Sequence, residues 1–281
     1  MPGTLHVVAT PIGNLEDITL RALRVLREVN LIAAEDTRRT ARLLTHHGIS
    51  TPTLSFHEHN SRGRIPQLLA RLQAGDSIAI VTDAGTPGVS DPGAEIVQAC
   101  VQAGIPVNPV PGASAPLTAV SASGFPATPL IVFGFAPSRS KDRSAFLKTI
   151  SEAGSTVTFF ESPHRIVATL TDAQQYLGNR PIMLGRELTK LHQEFIYGTA
   201  EQVVGHLTTP RGEFTVVVSP AIPVENESYD LTDAAIAAEF ERATGQAGMT
   251  RRGAVAIVAR KIKKTQRDVY AAVERAKKSV L

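Results

Sequence analysis

Residues 77–93 read SIAIVTDAGTPGVSDPG, a run of small and β-branched apolar residues that ends at an acid and breaks into three glycines and two prolines. A short apolar run bounded by turn residues is a buried strand, here 77–82, and Asp83–Gly93 is the loop that follows it. The same grammar recurs on either side. Strand 5–10 (LHVVAT) runs into Thr10-Pro11-Ile12-Gly13-Asn14-Leu15, and strand 106–110 (PVNPV) into Pro111-Gly112-Ala113-Ser114-Ala115-Pro116. Strands 30–35 (NLIAAE) and 130–133 (LIVF) complete the set, and amphipathic helices fit 17–28, 37–47, 62–74, 92–103 and 114–123. In the first of these helices Ile18, Leu20, Ala22, Leu23, Val25 and Leu26 form an apolar side, while Arg21, Arg24 and Arg27 form a basic row. Alternation of this kind gives a mostly parallel α/β sheet.

In such sheets ligands sit beyond the carboxyl ends of the strands, so three Gly/Pro loops at strand ends point to a pocket. Glycine lets backbone approach a ligand and proline stiffens the turn; Ser114 stands where it could cap the next helix. No G-x-x-x-x-G-K-[ST] occurs, and no G-x-G-x-x-G follows strand 5–10, which argues against a nucleotide polyphosphate. The loops offer backbone groups, small side chains, Asp83 and Asp91, a set that suits a cationic or zwitterionic ligand.

The stretch 134–143 (GFAPSRSKDR) breaks the rhythm and marks a boundary. Beyond it, strands 155–160, 181–186, 192–198 and 213–219 and helices 164–177 and 199–207 form a second α/β unit. Its 192–198 segment follows 181–186 so closely that antiparallel pairing, and hence a mixed sheet, is expected. A linker at 219–228 precedes helical patterns at 231–244, 250–260 and 265–278. The division expected is 1–135, 136–222 and 223–281.

The overall charge of +3 is a near-cancellation. Residues 1–224 carry 18 basic and 18 acidic side chains, 225–248 carry one and six, and 249–281 carry ten and two. A neutral body with a basic end suggests a small-molecule machine with a polyanion-binding attachment. The single cysteine, Cys100, excludes an intrachain disulfide framework, and its helical apolar surroundings indicate a structural thiol. No apolar run is long enough to span a membrane, and residues 1–10 have no signal-peptide pattern, so a cytoplasmic protein is expected. With no Trp and 5% aromatics, a surface built mainly on base stacking is not expected.

Charged residues gather at other strand ends: Glu35-Asp36-Thr37-Arg38, Glu161-Ser162-Pro163-His164-Arg165, Arg186-Glu187 and Arg211-Gly212-Glu213. Asp36 or Thr37, and Ser162 with Pro163, read as helix N-caps. Capping leaves Arg38, Glu161, His164, Arg165 and Glu187 unexplained, and acids with arginines at a cleft can hold a zwitterion and a phosphodiester together. His57-Glu58-His59 has metal-ligand spacing for a strand. It lacks an obvious third ligand, so a polar substrate-facing loop is expected and no metal.

VATPIGNLEDIT, AAEDTR, FHEHN, IVTDAGTPGVSDPG, VPGASA, FFESPHR and GRELTKLHQEF together closely resemble the ribosomal RNA small subunit methyltransferase I family. That family is a branch of the tetrapyrrole-methylase-like methyltransferases that use S-adenosylmethionine (SAM). The resemblance implies two α/β domains of tetrapyrrole-methylase type with SAM in the cleft between them, and a small C-terminal helical domain. It further implies 2′-O-methylation of a cytidine in 16S rRNA near the decoding centre, usually by a homodimer acting on 16S rRNA or the 30S subunit. Carried over by position, the residues facing SAM are Ile12, Gly85, Thr86, Val89, Ser114 and Ala115. Phe160, Glu187 and Glu213 are added from the second domain. Tetrapyrrole-methylating relatives carry a G-x-G-x-G-type first loop and a GDP-type loop where this chain has Thr10-Pro11-Ile12-Gly13 and Gly85-Thr86-Pro87, which favours the rRNA branch. The terminal TRRGAVAIVARKIKKTQRDVYAAVERAKK also resembles a helix-turn-helix, in which the second helix commonly meets nucleic acid.

Methyl transfer to a ribose hydroxyl requires in-line alignment, a proton acceptor and a nearby cation. Glu161 or Glu187 is the expected acceptor, with His164 as the lesser candidate. Arg38, Arg165 and Arg186 are expected to grip phosphates and polarise the ribose. Two other readings stay open: a SAM methyltransferase acting on a tetrapyrrole or similar small molecule, and a non-catalytic SAM- or rRNA-binding module.

Overall fold

The computed structural model describes residues 1–208, 210–221, 232–245, 250–262 and 264–278, with the side chains of all but 260, 261, 277 and 278. The chain divides into two compact units, Met1–Ala221 and Ile222–Leu281. The first unit holds two five-stranded sheets.

The first sheet comprises β1 (Leu5–Val8), β2 (Leu31–Ala34), β3 (Thr53–Ser55), β4 (Ile78–Val81) and β5 (Val107–Val110), in the order β3-β2-β4-β1-β5. Every pairing is parallel. β2 and β4 are buried along their whole length, which is why they read as unbroken apolar runs. β3 has no such run; with Thr53 exposed and Leu54 and Ser55 half-buried it shows no pattern in the sequence. Helices α1 (Leu20–Glu28), α2 (Thr37–His46), α3 (Ser61–Gln73), α4 (Ala94–Gln102) and α5 (Ala115–Ser123) connect or follow the strands.

The helix expected over 17–28 is divided. A 3-10 turn spans Leu15–Asp17, and Thr19 then caps α1 by accepting a hydrogen bond from Ala22 N–H at 3.1 Å. The basic row of α1 is structural: Arg21 donates to Pro109 O at 3.1 Å, Arg27 to His47 O at 3.0 Å, and Arg24 pairs with Glu28. Cys100 is fully buried in the core, and desolvation pushes its thiol up to about 11.

The second sheet comprises β6 (Leu130–Phe135), β7 (Thr156–Glu161), β8 (Ile182–Arg186), β9 (Glu194–Gly198) and β10 (Phe214–Val218), in the order β6-β7-β10-β8-β9. The strand expected to close the first domain therefore opens the second sheet, where β6 pairs in parallel with β7. The other pairings are antiparallel, including β8 with β9. The boundary stretch 134–143 is no linker: it is the end of β6, a turn and the start of α6 (Ser140–Glu152). Leu147 and Ile150 bury α6 against the second core, and the polar residues belong to its exposed first turn. Helices α7 (Ile166–Leu177) and α8 (Ala200–His206) cover the rest of that core. Buried Arg180 binds the carbonyls of Ile150, Ala153 and Ser219, so its charge is spread over backbone dipoles.

The second compact unit contains α9 (Asp233–Thr244), α10 (Arg251–Lys261) and α11 (Gln266–Lys278). Ile236 and Phe240 of α9 pack with Val255 and Val258 of α10 and with Val269 and Val273 of α11. Most of the expected 219–228 linker, from residue 222 onward, lies outside the described residues.

Candidate active site

The parallel order β4-β1-β5 makes the three Gly/Pro loops neighbours at one edge of the first sheet. Thr10 and Gly85 exchange backbone hydrogen bonds of 2.9 and 3.0 Å, tying the loop after β1 to the loop after β4. Thr86 Oγ1 donates to Ala113 O at 3.4 Å, joining the loop after β4 to the loop after β5. Gly85 and Gly88 hold φ of +84° and +82°, a region that side-chain-bearing residues enter at a cost. Ser114 occupies the N-cap position of α5 but makes no capping hydrogen bond with its side chain, contrary to expectation. Its hydroxyl remains available to a ligand. Val89 is exposed.

The two sheets meet beneath these loops. Ile12, Ala119 and Val120 from the first share a buried cluster with Met183, Leu188 and Val217 from the second, and Ala84, Ala113 and Ala115 pack against it. At Gly13 the two sheets approach closely. A Cβ there would lie 2.5 Å from Lys190 Cγ and 2.7 Å from the carbonyl oxygen of Leu188.

Beside Gly13 stands an ionic group that sequence reasoning recognised only in part. Lys190 Nζ donates to Glu187 Oε1 and Glu213 Oε2, both at 2.9 Å, and Glu213 N–H donates to Glu187 Oε1 at 2.9 Å. Burial pushes the Glu187 carboxyl up, but the Lys190 and Glu213 hydrogen bonds outweigh it and leave the group below its ordinary range. Burial likewise opposes charge on Lys190, and its two carboxylate partners outweigh that and raise it. Lys190 lay inside the quoted GRELTKLHQEF motif, but its role depends on the fold that brings Glu213 to it. Glu187 and Thr189 both have positive φ, so this turn is held in a sparsely populated conformation.

The register of the second sheet sets Phe214 opposite both Glu161 and Arg186, which gathers the charged strand ends at one edge. Glu161, however, is 1% exposed and fully engaged. Its Oε1 accepts from Ser162 N–H and pairs with Arg165, both at 2.7 Å, and its Oε2 accepts from Thr169 Oγ1 at 2.7 Å. That makes Glu161 and Arg165 an anchor for the entry to α7. Ser162 is not the N-cap of α7, which begins at Ile166; its hydroxyl accepts from Arg165 Nε at 3.2 Å instead. His164 is exposed in the same turn. Arg186 is held by Arg211 O at 3.0 Å and Glu194 at 3.1 Å. Phe160 on β7 is half-buried, its ring 5.4 Å from that of Phe135.

At the ends of β2 and β4, Asp36 caps α2 and binds the side chain of Arg38 through both carboxylate oxygens at 3.1 and 2.8 Å. The Arg38 guanidinium holds the Asp36 carboxyl far below the usual carboxylate range. Next to this pair, Asp83 N–H donates to Glu35 Oε2, Asp36 N–H donates to Asp83 Oδ1, and Arg39 pairs with Asp83 at 3.3 Å. Asp91 belongs to this corner. Burial, then the charges of Glu35 and Asp83, push it up to about 6. The His57-Glu58-His59 segment leads through a turn into α3, with the two imidazole centroids 5.9 Å apart. Among the described residues, no group of three His, Cys, Asp or Glu could hold a metal ion.

Small-residue loops that expose backbone, an apolar floor and a corner of carboxylates fit a ligand with a cationic centre and a zwitterionic end, such as SAM. Two sheets joined over such a cleft define a methylase of the tetrapyrrole-methylase class. Residues 4–204 match the family of Tetrapyrrole (Corrin/Porphyrin) Methylases. The fold resembles that of uroporphyrin-III C-methyltransferase from Thermus thermophilus, solved with S-adenyl homocysteine, at a TM-score of 0.56 and 17% identity over 78% of this chain and 99% of that one. Ribosomal RNA small subunit methyltransferase I of Synechocystis sp. is 47% identical over 230 residues, 81% of this chain and 82% of that protein. The protein of the same name from Thermotoga maritima is 50% identical over 219 residues, 77% of this chain and 98% of that one. The chain belongs to the ribosomal RNA small subunit methyltransferase I family, whose methyl donor is SAM.

Proposed function

We propose that this chain methylates the 2′-oxygen of a cytidine ribose in 16S rRNA near the decoding centre, as a cytoplasmic homodimer acting on rRNA or the 30S subunit. The observation that carries this reading is the packing of the loop after β1, tied to the other two Gly/Pro loops, against the Glu187–Lys190–Glu213 group of the second sheet, in a chain whose relatives bear the rRNA methyltransferase name. Ile12, Gly85, Thr86, Val89, Ser114, Ala115 and Phe160 are assigned to the SAM side of the cleft, with Glu187 and Glu213 at its rim. Bound there, SAM supplies a methyl group on a sulfonium that departs as a neutral thioether. The chain's own residues hold and align the two partners, and alignment accounts for much of the acceleration.

The ribose hydroxyl must lose its proton as the new bond forms. Glu161 is spent on Arg165, Ser162 and Thr169, and Glu187 on Lys190; His164 is exposed in the turn before α7, and between it and Asp91 we assign the proton to Asp91. It shares a loop with Gly85, Thr86 and Val89 and combines partial burial with a raised proton affinity. Arg38, Arg165 and Arg186 are left as phosphate contacts, Arg38 already paired with Asp36, Arg165 held by Glu161 and Ser162, and Arg186 by Arg211 O and Glu194. No helix among the described residues is long and apolar enough to cross a membrane. The three-part division is proposed with its first boundary moved ahead of β6.

Incubation with methyl-labelled SAM tests the reading. Label is expected in 16S rRNA when 30S subunits or naked rRNA are supplied, at a ribose resistant to alkaline cleavage. Label only in small molecules would move the chain to tetrapyrrole-type chemistry, and SAM binding without transfer would make it a binding module.

A further inference from the structure

In the second compact unit, α9, α10 and α11 enclose a groove of about 450 Å³. Its apolar floor includes Phe240, and three arginines, Arg251, Arg252 and Arg267, line it. Arg251 and Arg252 occupy the first turn of α10, where the helix already presents its positive end and no acid balances it. Arg251 lies over the Phe240 ring at 5.9 Å. Among the described residues none of the three arginines forms an ion pair. Glu274, two turns along α11 from Arg267, is the one acid in the lining and has interactions of its own. Tyr270, 60% exposed, stands on the same wall.

Uncompensated positive charge at a helix start is unfavourable unless an anion arrives, and an exposed tyrosine beside it offers a π face. We infer that this groove binds a single-stranded RNA segment, with backbone phosphates on Arg251, Arg252 and Arg267 and one unstacked base on Tyr270. Arginine forks match phosphate oxygens, and base–aromatic stacking tolerates any sequence. The groove would then supply affinity for the RNA strand while the methyl-transfer cleft supplies chemistry. The inference rests on the reading of the chain as an rRNA enzyme.

The test uses the full chain, a fluorescent 12-nucleotide single-stranded RNA and a KCl series. Arg252→Ala with Arg267→Ala, both exposed, is expected to weaken binding at least tenfold at low salt. It should also reduce the slope of log affinity against log salt by about 1.4, about 0.7 for each lost phosphate contact. Tyr270→Ala is expected to weaken binding about tenfold at every salt concentration with the slope unchanged, and Tyr270→Phe to restore it. Thermal melting of each variant separates loss of contact from loss of fold; if the double variant melts early, each single arginine variant is read instead, at half the slope change. Unchanged affinity and slope in folded variants would overturn the proposal, as would competition by poly-glutamate as effective as by unlabelled RNA. Methyl transfer to 30S subunits by the wild-type chain is measured in parallel. Transfer with unaltered RNA binding by the variants removes the groove alone, whereas altered binding without wild-type transfer removes the functional reading and leaves the groove standing.

Discussion

Gly13 and Leu188 come from different sheets, yet a Cβ on Gly13 would sit 2.7 Å from the Leu188 carbonyl oxygen. The loop after β1 therefore packs against the turn after β8 with no room for a side chain at Gly13. Gly13→Ala is expected to force the two apart, at about 1–3 kcal/mol of stability for an overpacked contact. S-adenosylhomocysteine affinity, read by titration calorimetry, should fall at least tenfold. A variant that binds like wild type would show that ligand binding does not depend on this packing.

Asp91 makes a pH-dependent prediction with a definite sign. Its folded pKa, about 6, lies above the ordinary aspartate value. The folded state thus binds the proton more tightly, and this contribution is full at pH below the ordinary value and lost as pH rises through about 6. Asp91→Asn should match the wild type in urea unfolding near pH 4 and be more stable above pH 6. Methyl transfer by the wild type should rise through about pH 6 as the carboxylate forms, and Asp91→Asn should slow transfer by about 10²-fold or more. Wild-type turnover in that variant would return the proton to another group.

Glu161 carries the opposite expectation. It is buried against Arg165, Ser162 and Thr169, so its removal leaves several buried groups unpaired. Glu161→Ala should lower stability by about 3 kcal/mol or more, and Glu161→Gln by less, because the amide oxygen can still accept one of these bonds. Turnover per folded molecule should survive in the Gln variant, measured with the folded fraction fixed by its melt.

Lys190 links two carboxylates, and its contribution depends on their charge. Glu187 has a folded pKa below its ordinary value, so its stabilising effect is present above that ordinary value and fades as pH falls through the folded one. Lys190 is shifted upward, so its share persists at neutral pH and fades only as pH rises through its folded pKa. Lys190→Met is expected to cost about 1 kcal/mol at pH 7, a partly exposed network being screened by solvent. The gap to wild type should narrow as falling pH protonates Glu187, as a urea-unfolding series run downward from pH 7 would show.

How much of this was legible beforehand follows from what each residue's signal depends on. The runs LHVVAT and SIAIVT had to be strands, because buried parallel strands are apolar along their length, and the Gly/Pro loops behind them had to be turns. Cys100 had to be structural in its apolar helix. β3 was not legible, since a three-residue strand at a sheet edge, with none of its residues fully buried, needs no pattern. The sheet to which β6 belongs was not legible either, because a strand's partner is chosen by tertiary pairing and not by its own residues.

The charged residues divide in the same way. Sequence alone determined that acids and arginines stand at strand ends and that the basic surplus lies in residues 249–281. Only the tertiary structure decided which of them are already partnered: Glu161 is enclosed by α7, Lys190 is drawn to Glu213, and Asp91 is left beside Glu35 and Asp83. A side chain's type fixes the charge it can carry. Its burial and neighbours, which come from residues distant in the chain, fix whether that charge anchors the fold or remains available for chemistry.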